Sequence, residues 1–211
     1  MKDPFEPECY YHIYNHAVGT DNLFTQEKNY YYFLKKFKEH IFPISETLCY
    51  CLMPNHFHFL VKIRDLIDED ELINNPKLTA YFRITCDSLD RFDMINKYTN
   101  KRFSNLFSAY AQAFNKSCGR KGSLFSQNFK HKKIASDDYL TTVIRYIHFN
   151  PVRHGFTKSV EEWPHSSYHA ILSDKPTSLN RKAVLDWFGD KENFIKCHRE
   201  IPEPELFIRE F

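Results

Sequence analysis

Hydrophobic and polar positions along the chain divide it into short segments whose period switches between two and about 3.6. Cys9 to Val18 is rich in Tyr and Ile and predicts a strand. Thr25-Gln26-Glu27 reads as a cap before a helix to about Ile41, with Tyr30, Phe33, Leu34 and Phe37 at helical spacing and Pro43 beyond its end. Glu46 to Met53 reads as a strand, Pro54-Asn55 as a turn, and His56 to Ile63 as the hairpin partner. Leu106 to Ser117 predicts a helix with Leu106, Phe107, Tyr110, Ala113 and Phe114 as its apolar positions. Gly119 to Gly122 is a basic turn, and Phe129 to Ala135 a basic strand. Ser136 is expected to cap a last helix opening on Asp137-Asp138, whose acids suit the positive helix end. Pro151 disfavours α conformation in the residue before it, so that helix is expected to stop at Asn150.

The order β-α-β-β-α-β, followed by further helix, predicts an α+β fold of ferredoxin-like pattern with an added C-terminal tyrosine-bearing helix. No apolar run approaches the roughly 20 residues that span a bilayer, and the first residues lack the apolar stretch of a signal peptide. The expectation is a cytoplasmic protein without a membrane partner. The six cysteines (9, 49, 51, 86, 118 and 197) include no C-x-x-C pair, which disfavours zinc knuckles and suits reduced thiols. Five glycines are too few for Gly-rich linkers, and no dinucleotide fingerprint is present.

Net charge is only +2, but it is unevenly spread. Residues 65–100 carry 4 basic and 8 acidic side chains and read as an acidic insertion, helical in part. Residues 101–154 carry 10 basic side chains against Asp137 and Asp138 alone. Near-neutrality argues against a histone-like polyanion binder; this basic quarter brings a polyanion partner back into play.

Three constellations could carry chemistry. His56 and His58, two apart on a strand, share a face, whereas Phe57, Phe59, Val61 and Ile63 line the other. Two neighbouring imidazoles are a half-site for a divalent metal, or a polar sheet face that happens to carry histidines. On the last helix Tyr139, Val143, Tyr146 and Asn150 form one stripe, and Tyr146 and Asn150 are an i,i+4 pair that can reach one locus. An ordinary core tyrosine and a helix stop would look the same. Third, Arg120, Lys121, Lys130, Lys132 and Lys133 alternate with Phe125, Phe129 and His131, so cations could meet phosphates while rings stack on unpaired bases. Lysines also protect solvated strand edges.

Together these segments resemble the HUH single-tyrosine transposases, in particular their REP-associated, IS200-like relatives. Leu52-Met53-Pro54-Asn55-His56-Phe57-His58-Phe59-Leu60-Val61 is similar to the family's M-P-N-H-x-H signature. Tyr146-Ile147-His148-Phe149-Asn150-Pro151-Val152-Arg153-His154-Gly155 resembles its Y-I-H-x-N-P-V-x-x-G block. Weaker matches fall in order at Tyr11-His12-Ile13-Tyr14-Asn15, at Gly122-Ser123-Leu124-Phe125 with Phe129-Lys130, and at Trp163-Pro164-His165-Ser166-Ser167-Tyr168. Where the family often has Asn-Arg-Gly after the first strand, this chain reads Asn15-His16-Ala17.

The resemblance implies a nuclease domain over residues 1–172, interrupted by the 65–100 insertion, with 173–211 as an extension packed on it. It implies metal-dependent cleavage and transfer of single-stranded or hairpin DNA. His56, His58 and Asn150 would hold Mg2+ or Mn2+, and Tyr146 would be the nucleophile, forming a 5′-phosphotyrosine link. Tyrosine, with a pKa of about 10, is a weak nucleophile that a cation on the phosphate would assist. Arg120, Lys121, Lys130, Lys132, Lys133, Arg145 and Arg153 would contact DNA. His148 points away from Tyr146 on the helical wheel and is left out of the site. The resemblance admits a homodimer, with the tyrosine helix serving its own or the partner's histidines, as well as a monomer. Two other functions compete: a domesticated protein that binds DNA hairpins without transposition, and a metal hydrolase in which the two histidines activate water.

Overall fold

The computed structural model describes residues 3–65, 91–126, 128–136 and 139–200. Four strands, β1 (Tyr10–His16), β2 (Ser45–Met53), β3 (His56–Ile63) and β4 (Lys130–Ile134), form one sheet in the order β2-β3-β1-β4, every neighbouring pair antiparallel. With α1 (Glu27–Ile41) after β1, α2 (Arg91–Cys118) before β4 and α3 (Leu140–Arg153) after it, the topology is the expected ferredoxin-like one.

Alternation along the strands builds a separate core on each sheet face. Tyr11, Ile13, Phe57, Phe59, Val61 and Ile63 pack under α1 and α2 with Phe33, Phe37, Phe103 and Tyr110. Leu60, Cys49 and Cys51 pack under α3 with Val143, Ile144 and Ile147. Much of the aromatic content lies in the first core, where Phe37 stacks on Phe59 at 4.0 Å.

α1 starts where the pattern places it. Asn29 Oδ1 accepts from the backbone of Thr25 and Gln26, closing a capping box with Gln26 as N-cap. α2 is longer than predicted, beginning at Arg91 rather than near Leu106. Ile95, Thr99 and Phe103 continue its buried stripe at i, i+4, i+8, so its first turns belong to the core despite their acidic surroundings. The rest of the acidic segment, residues 66–90, lies outside the described residues, as do Asp137 and Asp138.

α3 departs from expectation at its C-terminal end. Its α-helical residues are described from Leu140, with Tyr139 N–H donating to Ser136 O at 3.2 Å; the expected opening at Asp137-Asp138 lies outside the described residues. At the other end the helix does not stop at Asn150: Pro151 lies inside it and the last helical residue is Arg153. Proline forfeits one amide bond near the helix end, and burial of Asn150 and Pro151 offsets that. Termination comes from a Schellman turn, in which Phe156 N–H reaches Pro151 O at 2.8 Å and Gly155 N–H reaches Val152 O at 3.0 Å. Gly155 sits at φ 72°, with open space where a Cβ would stand. Gly155→Ala should therefore cost only the left-handed backbone penalty, about 1–2 kcal/mol, read as a lower urea midpoint at unchanged slope.

Three short helices follow: α4 (Tyr168–Leu172), α5 (Arg181–Phe188) and α6 (Lys191–Arg199). Asn180 and Asp190 cap α5 and α6 through their side chains. Both helices pack on α3, with Phe188 and Phe194 in the second core and Trp187 edge-on to Tyr10. Backbone bonds from Leu52 N–H to His165 O, Ser167 N–H to Tyr50 O and Asn180 N–H to Thr47 O cover the β2 edge.

His148 belongs to a buried chain of polar groups that ties these parts together. His198 Nδ1 lies 2.7 Å from Phe194 O and must donate to it, so its Nε2 accepts from His148 Nδ1 at 2.9 Å. His148 Nε2 then accepts from Ser167 Oγ at 2.7 Å, and that oxygen in turn accepts from Tyr50 N–H. Burial pushes the His198 pKa down to about 4 and holds His148 well below its ordinary value. Both are neutral when folded and would protonate when unfolded below about pH 6.5. Stability is therefore full above that pH and falls as pH drops towards 4, by about 1–3 kcal/mol. Urea titrations across this window should show the loss, with a shallower slope in His198→Gln.

Candidate functional site

The sheet face under α3 carries a line of imidazoles. On β3, His56 and His58 stand with ring centroids 5.3 Å apart and planes at 86°. β1 pairs with β3 so that Tyr14 faces His58 and His16 faces His56. His12, one position along that face, brings its Nε2 to 3.0 Å from His58 Nδ1. α3 lies across them and lowers Tyr146 onto both: its ring meets His12 and His58 edge-on, each at 5.9 Å. Tyr146, only 1% exposed, and Asn150 are buried one turn apart on the same side of the helix. The two sequence constellations, one on a strand and one on a helix, are thus a single locus within one chain.

Hydrogen bonding at this locus leaves acceptors facing inward. His56 Nδ1 lies 2.7 Å from Asn55 Oδ1 and must donate to it, so its Nε2 carries a lone pair. That Nε2 is buried and has no partner among the described residues. Asn150 Nδ2 donates to Tyr146 O at 3.0 Å, and its Oδ1 is likewise buried without a partner there. Two buried acceptors with nothing to accept are costly unless a donor or a cation completes them.

Burial also holds the histidines neutral. It pushes His56 down to about 3, helped by the nearby His154 and His16, and His12 to about 3, helped by Lys132. His58 is held well below its ordinary value, by burial first and then by His12 and His56. Neutral imidazole is the form that ligates metal. Among the described residues no group of three or more His, Cys, Asp or Glu is placed to hold an ion, so any cation here would rest on two histidines and an amide oxygen.

The basic side chains divide by location. Lys130 and Lys132 lie on β4 opposite Tyr14 and His12 and share the histidine face, Lys130 being 5.9 Å from the Tyr14 ring centroid. Arg153 is exposed at the end of α3, close enough to His154 to depress it. Lys121 is exposed in the turn after α2. The other three are engaged elsewhere. Arg120 pairs with Asp21 and bonds Asn115 Oδ1, fastening that turn; Lys133 pairs with Glu6 at 2.7 Å; Arg145 donates to Glu200 O at 3.0 Å beside α6.

Sequence reasoning assigned no role to His12 or His154. His12 becomes part of the site only through strand pairing. His154 follows Asn150 at i+4 and brings its ring to 4.7 Å from His56, a spacing visible in the sequence had the helix not been ended at Asn150. A cavity of about 550 Å3 between α2 and the 122–129 loop, lined by Asn15, Gln112 and Phe125 among others, contains none of these groups.

A ferredoxin-like sheet thus carries paired histidines on one strand, faced by a tyrosine on the helix above. The fold is shared with a solved structure of a REP-associated tyrosine transposase bound to a REP hairpin, at a TM-score of 0.52 and 18% identity over 83% of this chain and 87% of that one. In sequence, the chain is 25% identical over 156 residues to a candidate REP-associated tyrosine transposase of Haemophilus influenzae, covering 72% of this chain and 71% of that protein. It is 33% identical over 99 residues to the REP-associated tyrosine transposase of Escherichia coli K12, covering 47% of this chain and 56% of that protein. No family model matches the chain. The chain is thus similar in sequence to two REP-associated tyrosine transposases and shares its fold with a solved structure of one.

Proposed function

We propose that this protein is a DNA strand transferase of the transposase type, cutting single-stranded or hairpin DNA through a covalent bond to Tyr146. The observation that carries the reading is the meeting, inside one chain, of Tyr146 with His58 at 5.9 Å and of two buried acceptors, His56 Nε2 and Asn150 Oδ1, that have no partner among the described residues. The REP hairpin held by the fold neighbour and the names of both sequence relatives supply the substrate class.

In this reading Tyr146 Oη attacks a backbone phosphorus and the bond from phosphorus to the 3′ oxygen breaks. The tyrosine's proton ends on the leaving 3′-hydroxyl, and the downstream strand stays attached as a 5′-phosphotyrosine. Transfer to a second 3′-hydroxyl reverses these steps and conserves the phosphoester, so rejoining needs no nucleotide triphosphate. His56, His58 and Asn150 fit a divalent cation such as Mg2+ or Mn2+, which when bound would neutralise charge developing on the phosphate. His12 holds His58: with His58 Nδ1–H donating to His12 Nε2, the His58 Nε2 lone pair faces the site. Lys130, Lys132 and Arg153 bring positive charge to the same face for the strand to follow. Because Tyr146 is buried, the covering surface must open before a phosphate reaches it.

The assembly needs no tyrosine from a partner, since nucleophile and histidines already meet within the chain. Water activation by zinc is less well supported, because no third His, Cys or carboxylate joins the pair among the described residues. The test is incubation with a labelled hairpin carrying a single-stranded flank, plus Mg2+ or Mn2+, followed by denaturing electrophoresis. A covalent adduct is expected; free ends alone would favour hydrolysis, and retardation without cutting a binding protein.

A further inference from the structure

The Schellman turn that ends α3 leaves one large ring facing solvent. Phe156 is 39% exposed, immediately after Gly155, whose positive φ swings the chain outward. Two other rings flank it: His154 at 6.4 Å and 32°, and Trp163 at 5.8 Å and 36°. The three form a ledge that begins beside the metal-type site, where His154 stands 4.7 Å from His56.

This ledge is held in place from behind. Trp163 Nε1 donates to Leu52 O at 3.0 Å, fixing the indole to β2. Its ring meets His165 edge-on at 5.7 Å, and His165 stacks flat on Tyr30 of α1 at 3.6 Å and 7°. Arg153, exposed, lies close enough to His154 to depress its pKa. A Schellman turn commonly places an apolar side chain at this position, against the last helical turn, but any aliphatic residue satisfies that contact. An aromatic face beside a cation and next to a candidate nuclease centre matches the chemistry of an unpaired nucleobase with its phosphate.

We propose that Phe156, flanked by Trp163 and His154, is a stacking platform for one unpaired base of the DNA strand, a nucleotide or two from the phosphate that Tyr146 attacks. It rests on the strand-transferase reading above and adds where the single-stranded flank lies. Stacking is sequence-tolerant, because every base has a π-face, so the platform sets the path of the strand rather than its sequence. Arg153 neutralises the adjoining phosphate.

The test uses fluorescence anisotropy with a labelled hairpin bearing a single-stranded flank, in a Tyr146→Phe background so that metal can be present without cutting. Phe156→Ala should weaken binding about 5- to 100-fold, the equivalent of losing one stacked base. Phe156→Trp should bind like the parent. Phe156→Leu keeps the apolar contact of the turn and should melt like the parent, yet bind as weakly as Phe156→Ala. Moving a single abasic site along the flank should find one position that weakens the parent by the same factor and leaves Phe156→Ala unaffected. Parent-like binding by Phe156→Leu, or losses that add at every abasic position, would overturn the assignment. So would self-association that Phe156→Ala abolishes without changing DNA affinity, which would give the ring to a second copy of the chain. If wild-type protein forms the Tyr146 adduct while Phe156 proves inert, only this inference fails. If no hairpin binds, both readings fall.

Discussion

Tyr146→Phe should abolish the covalent protein–DNA adduct while leaving the fold and the DNA affinity nearly unchanged. The substitution removes one oxygen from a ring whose edge-on contacts with His12 and His58 are made by carbon. Core packing therefore survives and the melting temperature should move little. Without the hydroxyl no atom of α3 at that place can attack phosphorus, so adduct formation should fall by at least about a thousandfold. Tyr139, half-buried at the helix start, and Tyr168, in the second core beside His148, are not placed to replace it. A band that persists in the variant would remove Tyr146 from the reaction. Loss of the adduct together with a large drop in melting temperature would instead show that the hydroxyl is structural.

His56→Ala should separate chemistry from binding in the same assay. The substitution deletes an imidazole whose Nε2 lone pair has no partner among the described residues and whose other nitrogen holds Asn55. If the pair of histidines and Asn150 hold the cation, cleavage should fall at least about a hundredfold, as expected when a metal centre is disrupted. Binding of the hairpin should persist, since Lys130, Lys132 and Arg153 remain. Removing divalent ions with EDTA should reproduce that result in the wild type, and added Mg2+ or Mn2+ should reverse it. Isothermal titration with Mn2+ reads the site without activity: the wild type should give heat that His56→Ala and Asn150→Ala lack. Equal loss of cutting and binding in His56→Ala would point to misfolding, and cutting undiminished in EDTA would exclude a metal role for these residues.

Alternation and helical spacing were enough to predict the ferredoxin-like order of elements. Phe57, Phe59, Val61 and Ile63 could serve only one sheet face, which put His56 and His58 on the other. Boundaries were less legible. α2 was predicted short because its first turns lie in acidic surroundings, yet Ile95, Thr99 and Phe103 bury there. α3 was predicted to end at Asn150 because Pro151 follows, but a proline this close to a helix end loses only one amide bond, and the chain runs on to the Gly155 turn.

The candidate site divides in the same way. His56, His58, Tyr146 and Asn150 could be picked out by spacing within a single strand or helix, because period two and period 3.6 fix which side chains share a face. That the two pairs form one locus is a matter of α3 crossing β2 and β3, contacts about 90 residues apart in sequence that no local pattern encodes. The division of the basic residues is equally tertiary. Lys130, Lys132 and Lys133 are nearly consecutive, but strand pairing puts the first two beside the histidines and turns the third to Glu6. The sequence by itself thus determined which residue types stand together on each element, since local geometry depends on near neighbours. Only the tertiary structure decided which elements share a site, which cations are already engaged, and where the exposed Phe156 ring stands, since those depend on burial and pairing between distant segments.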